Sequence, residues 1–537
     1  MNYAQSRFGS AGIANLHELK QAGLLLGQGI SFGRDMSNKH ELRVPGDGSV
    51  ALFGGAGSGK SSCAFANALI GGYVPGNFLY FLPREEEAWV HVLSLSLQGY
   101  ALYFCNPMGK LGLPRHRLNP LDHLTLDSIS LIADVQKTAM DICPTPSSIK
   151  SAWPYEDAKR WLADLLLYDA ERNRCASLTG VFELLQSIQG NLDVWCGHLD
   201  AMLRSRFPSV QSFAGEIMSL QKEGREGFTA PMGVLQNTFS FMRDPRLQWT
   251  FSGSDVSTQW LTDPGRKIGI IVIWPIEYIQ TQAPAIRQVI GSAIQHKLRA
   301  PGGASVSMLI DEAGQLKRFE SVRELFTFGR GAGLVSNMVA WQEVSQIRAA
   351  FGAEANEIIG SAQVRVFKGV RTMESAEMVS KMAGTMTLAY DAAMEQSNAK
   401  RLRRHAAQSL LNGGNFFDSI ADLQHYKAAE QHQTKQPRKI LEPDEVLNLP
   451  PSIMAAFMTD LPAMMLGHWV PYFERSDFAG LYLNNPSFGE HVTLQTRWGK
   501  KQLRTIEEPV PGTLAHLPQY QDGTWRYVQG YRPEVGR

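Results

Sequence analysis

The stretch Gly54-Gly55-Ala56-Gly57-Ser58-Gly59-Lys60-Ser61 constrains what this chain can fold into more than any other. It satisfies every position of G-x-x-x-x-G-K-[ST], a loop whose backbone N–H groups converge on phosphate oxygens. The glycines let the backbone take conformations that side chains resist. Lys60 has the reach for the β- and γ-phosphates, and the Ser61 hydroxyl is a ligand for Mg²⁺. The flanks agree. Val50-Ala51-Leu52-Phe53 reads as a short buried strand, and Ser62 to Ile70 as a small, apolar helix whose positive end faces the phosphates. Gly54 through Ser62 are therefore predicted to hold ATP and Mg²⁺, within a strand–loop–helix unit of an α/β sheet.

Further strands support a parallel sheet. Phe78-Leu79-Tyr80-Phe81-Leu82 closes at Pro83, Ala101-Leu102-Tyr103-Phe104 ends at Asn106-Pro107, and Ile268 to Ile273 and Val306 to Ile310 are continuous apolar runs. Gly333 to Ala340 and Gln363 to Phe367 read as two more, and a helix is expected from about Pro284 to Arg299. Between 125 and 250 the pattern changes to helical periodicity. Trp161, Leu162, Leu165 and Leu166 share one face, and Val181, Leu184, Leu185 and Ile188 another. This reads as an all-α domain inserted between sheet strands; a bundle that only props up the sheet is the bland alternative. The expected division is 1–48 leading segment, 49–124 first part of the nucleotide domain, 125–260 inserted helices, and 261–392 second part of the nucleotide domain. After it come a polar basic segment at 393–440, a return to the core at 441–484, and a C-terminal tail at 485–537.

With 52 basic and 51 acidic residues, the formal net charge is +1, so any polyanion-binding surface must be local. The cluster Lys400-Arg401-Leu402-Arg403-Arg404-His405 is either a solvated charge run or a contact to nucleic acid or anionic lipid. The five cysteines show neither metal spacing nor a paired framework, which fits a reducing cytosol. No apolar run reaches the ~18 residues of a membrane span, and the N-terminus lacks a signal-peptide core.

The second half of such a nucleotide site is an apolar strand ending in an acid. Val306 to Ile310 runs into Asp311-Glu312. Asp311 would sit at the carboxyl end of its strand, where open α/β sheets bind ligands, and hold Mg²⁺. Glu312 is placed to orient and activate the attacking water. Arg330, in Phe328-Gly329-Arg330-Gly331-Ala332-Gly333, fits an arginine finger entering a neighbouring subunit's site, or a helix-capping arginine. Gln342, after Met338-Val339-Ala340-Trp341, fits a γ-phosphate sensor or a loop amide.

In this order the motifs resemble the type IV coupling proteins, the VirD4/TraG/TraD-like ATPases of bacterial conjugation and type IV secretion. The similarity spans roughly residues 8–485. It is carried by Phe8-Gly9-Ser10-Ala11, Ala22-Gly23-Leu24-Leu25-Leu26-Gly27, Arg117-Leu118-Asn119-Pro120-Leu121-Asp122, Asp311-Glu312-Ala313-Gly314, Gly329 to Gly333, Gln342, and Leu441-Glu442-Pro443-Asp444-Glu445-Val446-Leu447-Asn448-Leu449-Pro450. The resemblance implies a RecA-like P-loop NTPase core with an inserted all-α domain and a homohexamer with ATP sites between subunits. It implies Lys60 and Ser61 on phosphate and Mg²⁺, Asp311 and Glu312 on metal and water, Arg330 acting in trans, and Gln342 coupling nucleotide state to neighbours. The implied cargo is a relaxase joined to single-stranded DNA, with secreted effector proteins as the alternative; a nucleotide-regulated recruitment platform is a third reading. Channel components of the secretion system are implied partners, at the cytoplasmic face of the bacterial inner membrane. Two departures stand out. Most of the family carries N-terminal membrane helices and no such span is found here, so either the chain has been shortened or it belongs to a soluble branch docked by a separate membrane anchor subunit. And Pro83-Arg84-Glu85-Glu86-Glu87 stands where many relatives have an Asp-x-Lys-Gly-Glu-like stretch.

Overall fold

The computed structural model describes residues 9–145, 151–223, 226–391, 398, 400–405, 408 and 433–534. The strands, in chain order, are β1 (Ser31–Asp35), β2 (Glu41–Arg43), β3 (Val50–Gly54), β4 (Asn77–Leu82), β5 (Ala101–Cys105), β6 (Ile268–Ile273), β7 (Val306–Ile310), β8 (Met338–Trp341), β9 (Val364–Lys368), β10 (Thr385–Asp391), β11 (Gln433–Lys439), β12 (Ile453–Met458), β13 (Met465–His468), β14 (His491–Thr496), β15 (Gly499–Pro509) and β16 (Thr524–Val528).

Eleven of them form one sheet in the order β2-β1-β13-β12-β9-β3-β8-β7-β4-β6-β5. From β9 to β5 the neighbours are parallel. The remaining pairs, β9·β12, β12·β13, β13·β1 and β1·β2, are antiparallel. The parallel strands are apolar without alternation because both faces are covered. Phe53, Phe81 and Ile310 join one core, whereas Leu52, Tyr80 and Leu309 join the other.

The first face carries the helical insertion. Helices Leu131–Ile142, Trp153–Asn173, Leu178–Gly190, Leu192–Leu203, Pro208–Glu223, Glu226–Thr238 and Pro245–Phe251 lie between β5 and β6. Trp161, Leu162, Leu165 and Leu166 are fully buried, and their core runs continuously into that of the sheet. The chain enters and leaves this region through a clamp built from the Arg117–Asp122 motif. Arg117 pairs with Asp255 through two parallel hydrogen bonds, at 2.9 and 3.0 Å. The Asn119 amide donates to the Ala176 carbonyl at 2.8 Å, and its Oδ1 accepts from the Leu121 N–H.

The structure departs from the sequence expectations in several places. Residues 485–537 were expected as a polar tail; through residue 534 they are instead folded around a three-stranded antiparallel sheet, β14-β15-β16. Trp525, Tyr527, Leu514, Leu517 and Tyr520 pack on the second face of the main sheet. The polar average of this segment hides a period of two, in which Trp525 and Tyr527 point inward and Arg526 outward. In the segment 393–440, residues 400–405 are helical and β11 pairs with β10; residues 393–397, 399, 406–407 and 409–432 lie outside the described residues, as do Met1 to Phe8. The helix expected from Pro284 begins at Ile276 and carries Pro284 internally. The strand expected from Gly333 is shortened to β8, because Gly333 (φ +84°) and Ser336 (φ +51°) take left-handed conformations that break a ladder. Among the described residues, no helix is long and apolar enough to cross a membrane.

Candidate nucleotide-binding site

β3 is buried at every position and delivers the phosphate loop at its carboxyl end. The loop turns through Gly57 (φ +74°) and Gly59 (φ +87°), and at Gly59 an added Cβ would lie 2.9 Å from the Cys63 sulfur. The helix that follows opens as a widened π-type turn over Lys60–Phe65 and continues as α-helix over Ala66–Ile70. Ser62 lies in that first turn.

Two side-chain pairs join the loop to β7, although β8 separates β3 from β7 in the sheet. The Ser61 hydroxyl donates to Asp311 Oδ2 at 2.6 Å. The Lys60 ammonium, 5% exposed, donates to the Gly54 carbonyl at 2.7 Å and lies 3.3 Å from Glu312 Oε1. Gln342, one residue beyond β8, donates from Nε2 to Glu312 Oε2 at 3.0 Å. The Glu312 carboxylate is thus gripped from two sides, by Lys60 and by Gln342. Its backbone is left-handed (φ +62°, ψ +43°), a conformation that costs a non-glycine residue about 1–2 kcal/mol. Strain of this kind concentrates at functional sites.

Burial pushes the Asp311 carboxyl up to about 6; the neighbouring Glu312 charge adds to this, and Ser61 and Lys60 oppose it. Asp311 Oδ1 is buried with no hydrogen-bond partner. A buried, unpaired carboxylate oxygen, on a group whose other oxygen meets a loop serine hydroxyl, fits a hard cation such as Mg²⁺ with oxygen ligands. Ser58 Oγ is likewise buried without a partner inside the phosphate loop.

The structure adds residues that sequence reasoning missed. Glu87, in the first turn of the helix Glu85–Leu97 after β4, places its carboxyl against Ser61 and Asp311. Burial and the Asp311 charge push it up to about 8. Lys368, the last residue of β9, donates to the Ser58 carbonyl, and burial lowers its ammonium. Arg371 donates to the Ala56 carbonyl at 2.7 Å, and the Arg371 N–H donates to Glu343 Oε1 at 3.2 Å. The available signal was position: Lys368 ends a strand adjacent to β3, and Glu87 follows a strand adjacent to β7.

Arg330 is not part of this cluster. It sits exposed in the turn Gly329–Ala332, with no ion pair or side-chain hydrogen bond to the described residues. Leu334 bridges to Val306, the first residue of β7, whereas Asp311 follows its last. Arg330 therefore lies by the amino edge of the sheet and the nucleotide cluster at the carboxyl edge, separated by a strand of roughly 15 Å.

A buried, largely parallel sheet, a complete phosphate loop and a strand-end Asp-Glu pair define the fold as a RecA-like P-loop NTPase core with an inserted all-α domain. Residues 305–451 match the family described as the TraM recognition site of TraD and TraG. The conjugative coupling protein TrwBΔN70, in a trigonal form with sulphate, shares the fold with a TM-score of 0.58 at 14% identity, over 86% of this chain and 93% of that one. The plasmid coupling protein TrwB with the ATP analogue ADPNP gives the same values. TrwB with ADP and Mg²⁺ gives a TM-score of 0.54 at 15% identity, over 86% and 94%. No curated protein sequence matches the chain. The resemblance to VirD4/TraG/TraD-like coupling proteins is borne out by the family match and by these shared folds.

Proposed function

We propose that the chain is an ATP-hydrolysing coupling protein that recruits single-stranded DNA with its attached relaxase and drives it into a type IV secretion channel. The observation that carries this is the convergence of Lys60, Ser61, Asp311, Glu312 and Gln342 at the carboxyl edge of one sheet. It is joined by the match of residues 305–451 to a TraD and TraG domain.

Each side chain has a role that follows from its place. Ser61 and Asp311 would hold Mg²⁺, whose chemistry when bound is to neutralise charge on phosphate oxygens. Lys60 exchanges the Glu312 carboxylate for a phosphate oxygen, keeping its ammonium paired throughout. Released from Lys60 but still held by Gln342, Glu312 keeps one oxygen fixed and turns the other toward water, as a general base requires. Ser58, Lys368 and Arg371 surround the loop with donors for phosphate. Arg330, on the wrong edge for its own site, serves a neighbour, and this is the basis for a homohexamer with shared sites. The ring would work at the cytoplasmic face of the bacterial inner membrane, against the channel components of the secretion system.

The test is ATP turnover with and without single-stranded DNA. Stimulated turnover that is lost in Lys60→Ala and in Glu312→Gln supports the proposal. Stoichiometric nucleotide binding with no turnover under any DNA or partner condition overturns it. Glu312→Gln also separates a motor from a recruitment platform, because a platform supports transfer without hydrolysis.

A further inference from the structure

Far from the nucleotide, three metal-ligating side chains meet where the helical insertion joins the sheet domain. Asp122 and His123 are consecutive on the strap that leads into the insertion. His296 lies in the last turn of the helix Ile276–Arg299. One ligand atom from each lies within 4.8 Å of the other two, and this is the one such Asp/Glu/His/Cys grouping among the described residues. The Asp122 Oδ1 to His296 Nε2 distance is 2.8 Å, and the two imidazoles meet edge to face with centroids 5.8 Å apart.

A hydrogen-bonded Asp–His pair explains two of the three residues but not His123. That side chain is 7% exposed, and its Nδ1 is buried with no hydrogen-bond partner. Its other nitrogen lies 3.5 Å from the Thr138 hydroxyl, the outer limit of a bond. A buried ring nitrogen left unpaired is destabilising. The neighbouring polar side chains do not account for it either: the Arg299 guanidinium and the Gln295 amide are both directed at Asp134. Asp122 keeps its second oxygen on the Ser257 hydroxyl, which comes from the segment leaving the insertion and fixes the orientation of the carboxylate.

We propose that Asp122, His123 and His296 form a binding site for one zinc ion, distinct from the nucleotide site. The donor set selects the metal: two imidazole nitrogens and one carboxylate oxygen suit Zn²⁺, whereas Mg²⁺ and Ca²⁺ take oxygen shells. Zinc ligand atoms in a tetrahedron stand about 3.3 Å apart, so the three groups close by small side-chain rotations. The Ser257 hydroxyl then acts as an outer partner that orients a ligand. Such an ion staples the strap entering the helical domain to a helix that packs directly on the sheet, with Ser257 bringing in the departing strand. Its role is to fix how the insertion is carried; it takes no part in chemistry at the nucleotide.

The test uses the full chain, stripped of metal and titrated with Zn²⁺ alone against a chromophoric chelator. Saturating Mg²⁺ and ADP mask the nucleotide site, and Cys196→Ser removes the exposed thiol. The expected result is one equivalent of zinc, weakened at least about tenfold in Asp122→Asn, His123→Ala and His296→Ala. Cobalt in its place should give the visible absorption of a tetrahedral site. Wild-type protein that takes up no stoichiometric zinc overturns the proposal, and that result needs no variant to fold. Undiminished binding in His123→Gln and His296→Gln, with circular dichroism like wild type, overturns it as well.

Discussion

Replacing Glu87 by glutamine tests the electrostatics of the nucleotide site through folding alone. In the folded chain the Glu87 carboxyl is pushed up to about 8 from an ordinary 4.5, by burial first and then by the charge of Asp311. The folded protein therefore binds this proton more tightly than the unfolded chain does. Stability is lost as pH rises above the unfolded value, and the loss levels off past the folded one. At ~1.4 kcal/mol per unit, the cost is under about 1 kcal/mol near pH 5 and reaches about 4 kcal/mol near pH 7.5, as an upper bound. Glutamine keeps the shape and removes the charge. The variant should then match wild type near pH 5 and exceed it increasingly toward about pH 8. If the whole chain melts as one unit, 4 kcal/mol corresponds to roughly 3–4 °C in Tm, and to more if the sheet domain melts separately. The assay is nucleotide-free thermal denaturation of both proteins across this range, repeated with Mg²⁺ and ADP. A bound cation compensates the carboxylates and should flatten the wild-type trend. A Tm difference that is the same at every pH would refute the reasoning.

Mixing Arg330→Ala subunits with Glu312→Gln subunits, each inactive alone, should restore some ATP turnover; no recovery in verified mixed hexamers would rule out action in trans. Gln342→Ala removes the donor that holds Glu312 at 3.0 Å, so kcat should fall on the order of tenfold with nucleotide affinity little changed, measured by steady-state turnover and nucleotide titration. Gln519→Ala leaves the Leu102 N–H and the Tyr100 carbonyl unpaired between the C-terminal module and β5, and should cost about 2–4 kcal/mol in urea unfolding.

What the sequence revealed, and what it hid, follows from how local each feature is. The phosphate loop is contiguous, and its chemistry needs only the strand and helix that flank it. Asp311, Glu312 and Gln342 were readable because a strand-end position is a local property: the first two follow the mainly apolar run Val306–Ile310 and the third follows Met338–Trp341. Glu87, Lys368 and Arg371 join the site only through the sheet order, in which β9 and β8 flank β3 and β4 flanks β7. That order is set by packing between segments hundreds of residues apart, and no local pattern encodes it. Glu87 lay in the acidic stretch Glu85-Glu86-Glu87, yet nothing local placed it beside Ser61. The C-terminal sheet was hidden differently, since the buried Trp525 and Tyr527 alternate with the polar Thr524 and Arg526, and polar residues dominate the average.

The polarity of the sheet also changes what the arginine argument rests on. A glycine-flanked arginine is a weak motif by itself. In a parallel sheet, however, every loop lies at one edge or the other, and a chain that leaves the carboxyl end of β7 must return to the amino edge before β8 can begin. The helix Glu320–Thr327 makes that return, and Arg330 stands at its end. The guanidinium could reach its own phosphate loop only by crossing the length of a strand, which no rotamer provides. Exposed and without an ion pair among the described residues, it is free to contact a second molecule. If that molecule is another copy of the chain, the amino edge of one subunit faces the carboxyl edge of the next. That is a head-to-tail interface, which generates a ring when the rotation closes.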